Sequence, residues 1–104
     1  MKSFLDVKIS SEVMINEGPY SGRKVFLFTD SNGNDWYEER KEWEAVVMVD
    51  PKTNIICALE RDVEYLTISP GMNLYEIKLE SIPEDMVLGD YKFIDGVFVS
   101  NTKY

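Results

Sequence analysis

The chain has 104 residues, 44% hydrophobic and 12% aromatic, the make-up of a single folded globule that can bury a modest core without metals or disulfides. Nineteen acidic against eleven basic residues give a net charge of −8, and histidine is absent. That balance argues against binding nucleic-acid phosphates or anionic lipid, which call for clustered Lys and Arg, and it removes the commonest general base.

At the N-terminus, Met1-Lys2-Ser3-Phe4-Leu5 offers one basic residue, but Asp6 and Lys8 interrupt any apolar segment of a secretory signal. Apolar runs reach about five residues, far short of the ~20 that a membrane helix needs, so a cytoplasmic protein without membrane spans is expected. No linker, repeat or low-complexity tract divides residues 1–104, and one compact domain is predicted.

Leu5-Asp6-Val7-Lys8-Ile9 alternates with period two and predicts a first strand, continuing toward Ile15. Two glycines and a proline in Glu17-Gly18-Pro19-Tyr20-Ser21-Gly22 predict a loop. Lys24 to Thr29 reads as a strand, and Asp30-Ser31-Asn32-Gly33 as a turn, because Asn-Gly readily adopts positive φ. Both tryptophans follow within one charged stretch. Asp35 and Glu38 have the spacing of a capping box, and Trp36, Arg40, Trp43 and Val47 fall at helical spacing, which predicts a short helix over 36–44. An extended arm is the competing reading.

Ala45-Val46-Val47-Met48-Val49 and Asn54-Ile55-Ile56-Cys57-Ala58-Leu59 predict a hairpin joined by Asp50-Pro51-Lys52-Thr53. Both strands are apolar on both faces and are expected at the centre of the fold, with Cys57 as a buried small hydrophobe. Val63 to Ile68 predicts a short strand ended by Ser69-Pro70-Gly71. In Leu74 to Glu80 the alternation points Tyr75, Ile77 and Leu79 inward and Glu76, Lys78 and Glu80 outward. Tyr91 to Ile94 and Val97 to Val99 flank Asp95-Gly96, the preferred type I′ hairpin turn. The expected class is mostly β (α+β): a small antiparallel sheet or barrel-like domain with hairpins and one short helix.

Chemical motifs are sparse. Acidic neighbours such as Glu38/Glu39, Glu42/Glu44 and Glu60/Asp62 are too many and too scattered to single out an acid–base pair. Read as a calcium loop from Asp30, the chain places Asp35 where Gly is needed and Lys41 where Glu is needed, so a turn with a helix cap is the better account. Gly18 to Lys24 lacks the spacing and the following helix of a phosphate loop. No catalytic set, metal site or cofactor is expected. Tyr20, Trp36, Tyr37, Arg40 and Trp43 form the candidate partner-binding set, with a clamp on the core as the alternative for the aromatic residues. Trp43, next to the Ala45–Val49 strand, is the better clamp, and Trp36 and Tyr37 are the better contact residues.

Three local patterns carry a resemblance. They are Val25 to Thr29 followed by Gly33-Asn34-Asp35-Trp36-Tyr37 and Trp43; Asn54-Ile55-Ile56 with Asp62, Pro70-Gly71 and Glu76; and Ile82-Pro83 with Gly89, Tyr91, Phe93, Asp95-Gly96 and Phe98. In this order they resemble small proteins of the tail regions of enteric phages and prophages, of the tail-fibre-associated or tail-fibre assembly type. The resemblance implies a non-enzymatic interaction module that binds a tail or fibre component, in the host bacterial cytoplasm or in the virion if incorporated. Two alternatives stand beside it: a small acidic phage protein that inhibits a host enzyme by occupying a basic surface, and a carbohydrate-binding module. A small β domain must also cover its edge strands, and a homodimer through the N-terminal strand or the terminal hairpin is one way to do so.

Overall fold

The structure, a computed structural model, describes residues 2–14, 18, 22, 24–84 and 86–100. Among these residues eight strands are arranged in antiparallel sheets: β1 (Ser3–Phe4), β2 (Lys8–Met14), β3 (Lys24–Thr29), β4 (Ala45–Val49), β5 (Ile56–Glu60), β6 (Asn73–Ile77), β7 (Tyr91–Ile94) and β8 (Val97–Ser100). Strands account for 40% of the molecule and helical turns for 15%, which confirms the mostly-β class. The main sheet has the order β1-β6-β4-β5, and β2–β3 and β7–β8 form separate two-stranded ribbons. The proposed loop at 17–22 falls mainly outside the described residues, and the expected continuation toward Ile15 is seen as far as Met14 in β2, with Ile15 itself outside them.

The main sheet is covered on both faces, and β4 shows why. All five of its residues are buried. Val46 and Met48 point to one face, where they join Phe4, Val7, Trp36, Trp43, Val63 and Leu74. Ala45, Val47 and Val49 point to the other, against Ile56, Ile77 and Phe93. A strand with two dry faces has no polar alternation, as its Ala-Val-Val-Met-Val sequence records.

Several expectations are corrected. The first strand does not run unbroken from Leu5, because Asp6 turns to φ 53° and its N–H donates to Asn73 Oδ1 at 2.9 Å. The chain before Asp6 therefore joins the main sheet and the chain after it joins the β2–β3 ribbon. β5 is an edge strand of the main sheet, not a central one. Its pairing moves from Met48–Ala58 to Val49–Ile56, so Cys57 is the extra residue of a β-bulge. That bulge leaves Cys57 exposed rather than buried.

The segment from Val63 is a 3₁₀ turn, Val63–Tyr65, and not a strand. Asp62 caps it by accepting the Glu64 N–H at 3.0 Å, a local bond that competes with strand pairing. β6 ends at Ile77, and Leu79 lies in a second turn with 47% exposure instead of pointing inward. Two carboxylates make this departure: Glu76 accepts the Glu44 N–H at 3.1 Å, and Glu44 in turn accepts the N–H of Leu79. Leu74, on the face assigned to solvent, is fully buried against the tryptophans.

The two hairpins form at the expected places. In the first, the Asp50 carbonyl receives the N–H of Asn54 at 2.8 Å, and β4 pairs antiparallel with β5. In the second, Asp95 and Gly96 have φ of 51° and 82°, the two positive values that a type I′ turn requires.

Candidate functional site

The tryptophan segment starts from the Asp30 turn. Asp30 is 7% exposed, and its carboxylate takes the N–H groups of Asn32 and Asn34 and the Asn34 side-chain amide, each at 2.9 Å. These bonds fix the turn that delivers Asp35. Asp35 Oδ2 then accepts the Glu38 N–H at 3.2 Å and caps helix α1 (Trp36–Glu39), which tightens into a 3₁₀ turn over Arg40–Glu42. The helical reading of 36–44 thus holds for seven residues, in two pieces, with Trp43 in extended backbone at the exit.

Both indoles face inward. Trp36 is 1% and Trp43 6% exposed; their rings meet edge to face with centroids 5.0 Å apart, and Phe4 packs on Trp36 at 5.2 Å. This agrees with the clamp role for Trp43 and corrects the contact role of Trp36. The cap and the following turns set both rings on the side that covers Val46, Met48 and Leu74, so neither reaches a partner while the domain is folded. Tyr20 lies outside the described residues.

Tyr37 and Arg40 remain at the surface, both half-buried. They sit three positions apart on the helical turn, and the Arg40 guanidinium lies over the Tyr37 ring at 4.6 Å. The Tyr37 hydroxyl donates to the Phe26 carbonyl of β3 at 3.1 Å, which ties the helix to the ribbon. Phe26 and Phe28 share one face of β3, and Ile9 stands opposite Phe28. Phe28 packs on the tryptophan core, while Ile9 and Phe26 are 47% and 44% exposed. An apolar strip therefore runs from the core out along the ribbon and ends beside the Tyr37–Arg40 stack.

Ile9 and Phe26 were not foreseen as contact residues. Both lie on the core-facing side of the ribbon with Phe28, and their exposure depends on how far the core extends along that side, which the sequence does not signal. Concave features lie beside the turn of the terminal hairpin. A recess of about 440 Å³ is lined by Glu76, Ile77, Lys78, Ser81, Asp95 and Gly96, and one of about 300 Å³ by Asn54, Tyr75, Phe93, Ile94, Asp95 and Gly96. They flank the same turn. The Ser81 hydroxyl is engaged with the Lys78 carbonyl at 2.7 Å, and no hydroxyl–base pair suited to nucleophilic chemistry is formed there among the described residues.

Among the described residues no group of three or more His, Cys, Asp or Glu side chains is placed to hold a metal ion. Among the described residues no helix is long and apolar enough to cross a membrane. Neither a protein-family model nor a curated protein matches the sequence.

Proposed function

We propose that this chain is a non-enzymatic protein-interaction module, an accessory that binds a tail or tail-fibre component of a phage or prophage through the Ile9–Phe26–Tyr37–Arg40 strip. The observation that carries the binding role is the continuation of the core onto the surface: two exposed apolar side chains lead from Phe28 to an aromatic ring stacked under an arginine. Aromatic and arginine anchors beside an apolar patch are the composition of interface hot spots. The tail-component partner rests on the resemblance in the order of sequence motifs.

Binding of the purified chain to phage tail and tail-fibre proteins, followed by calorimetry, tests the proposal. Tyr37→Ala and Arg40→Ala should each weaken binding ~10-fold or more while far-UV circular dichroism and tryptophan emission stay unchanged. Affinity indifferent to both substitutions would remove this surface from the interaction. Binding that instead collapses steeply with added salt would move the reading to an acidic protein seated on a basic host surface.

A further inference from the structure

The Asp30 turn holds the one Asn-Gly pair of the chain, Asn32-Gly33. An asparagine followed by glycine can deamidate without an enzyme. The backbone nitrogen of the next residue attacks the side-chain Cγ, a five-membered succinimide closes, and ammonia leaves. Water then opens the ring at either carbonyl, which gives aspartate or isoaspartate. The reaction consumes only water. Its chief obstacle is a side chain on the following residue, which crowds the attacking nitrogen and which glycine lacks.

The structure sets Asn32 apart from the other described asparagines. It is exposed, and its side-chain amide makes no hydrogen bond among the described residues. The Asn34 amide is held by Asp30 Oδ2 at 2.9 Å. Asn73 is held at both ends, accepting the Asp6 N–H at 2.9 Å and donating to the Tyr75 hydroxyl at 3.4 Å. Asn54 precedes the β-branched Ile55, whose N–H is taken by Thr53 Oγ1 at 3.2 Å. Where a Cβ would stand on Gly33, nothing beyond its chain neighbours lies within 4 Å, so the ring has room to close and water has access to open it. Asp95-Gly96 shares the following glycine, but an ionised carboxylate is a poor electrophile and has no ammonia to lose.

The fold also restrains the reaction. The Gly33 N–H, the attacking group, donates to the Asp30 carbonyl at 3.1 Å, and the Asn32 N–H is fixed by Asp30 Oδ1 at 2.9 Å. Attack requires this turn to open locally. We propose that Asn32 is a deamidation site gated by the Asp30 turn, and that its isoaspartate product loosens the tryptophan cover of the core. Isoaspartate routes the main chain through the side-chain carbon and lengthens it by one carbon–carbon bond, about 1.5 Å. The extra length falls between two N–H groups, those of residues 32 and 34, that are anchored on the same carboxylate oxygen. The product also adds a negative charge to a chain of −8, beside the 7% exposed carboxylate of Asp30. Both changes act on the turn that delivers the Asp35 cap and, after it, Trp36.

Ageing of the full chain in mildly alkaline buffer, followed by peptide mapping, should show Asn32 converting ahead of every other asparagine, with isoaspartate among the products. Conversion should be several-fold faster in guanidinium chloride, which abolishes the turn. The isoaspartate form, separated by chromatography, should have a lower urea midpoint than the fresh chain. Asn32→Asp carries the charge without the added carbon and should lie between the two. Asn32→Ser, aged in the same way, should keep its midpoint. Conversion led by another asparagine would overturn the site, and equal rates in native buffer and denaturant would overturn the gate. An isoaspartate form as stable as the fresh chain, or an Asn32→Ser chain that loses as much on ageing, would overturn the structural consequence.

Discussion

Truncating Trp36 to Ala tests whether the helix segment is the lid of the core rather than a recognition arm. The ring is 1% exposed and held edge to face between Phe4 at 5.2 Å and Trp43 at 5.0 Å. Replacement removes roughly 150 Å² of buried apolar side chain, or about 4 kcal/mol at ~25 cal/mol per Å². Two lost ring contacts add ~0.5–1.5 kcal/mol each, and partial collapse of the cavity offsets some of the total, which leaves about 3–5 kcal/mol. A domain of this size has on the order of 5–15 kcal/mol to lose, so Trp36→Ala should be close to unfolding or severely weakened. Urea titration followed by far-UV circular dichroism reads this as a fall in midpoint of ~2 M or more for a slope of ~1–2 kcal/mol per M. A loss under ~1 kcal/mol would refute the packing, since only a surface side chain is so cheaply removed.

Four further outcomes follow from single contacts. The indole N–H of Trp43 is buried with no acceptor among the described residues, and an orphan donor costs ~1–3 kcal/mol, so Trp43→Phe should lie within ~1 kcal/mol of the native stability by the same titration. Asp35→Ala should cost ~1 kcal/mol by uncapping α1, and Asp35→Asn less, because Asn also caps. Cys57 should react with Ellman's reagent in the native state as fast as a model thiol, and reaction that waits for urea would put it inside. Gly96→Ala, at φ 82°, should destabilise by ~1 kcal/mol, read as a lowered urea midpoint.

The sequence made local features legible where a short-range signal decided them. Asp95-Gly96, the Asp50–Thr53 connection and the Asp35 cap each involve residues a few positions apart, whose bonds form whatever the rest of the chain does. Face assignments were harder, because they depend on what lies across the sheet. Leu74 to Glu80 alternates cleanly, and the simplest reading puts its carboxylates in water. In the folded chain β6 is sandwiched: Leu74 meets the tryptophans on one side and Ile77 the terminal hairpin on the other. Glu76 is half-buried because its carboxylate holds the backbone of Glu44, a partner 32 positions away that no local pattern announces.

The same reasoning explains why the candidate contact set changed membership. Aromatic residues among charges suit either a lid or an anchor, and composition does not separate the two roles. Helical spacing alone puts Arg40 on the side of both tryptophans. What separates them is the departure from a regular helix after Glu39, where a 3₁₀ turn over Arg40–Glu42 and extended backbone at Trp43 accompany two inward indoles and an Arg40 stacked on Tyr37 at the surface. The acidic, hydrophilic stretch that looked like one exposed surface is thus a cover with an inner and an outer side. Its inner side fixes stability through Trp36, and its outer side presents Tyr37, Arg40 and, through the Tyr37–Phe26 bond, the ribbon. Substitutions at the two sides should therefore separate folding from binding, since Trp36 and Tyr37 are adjacent in sequence but only the second reaches the surface.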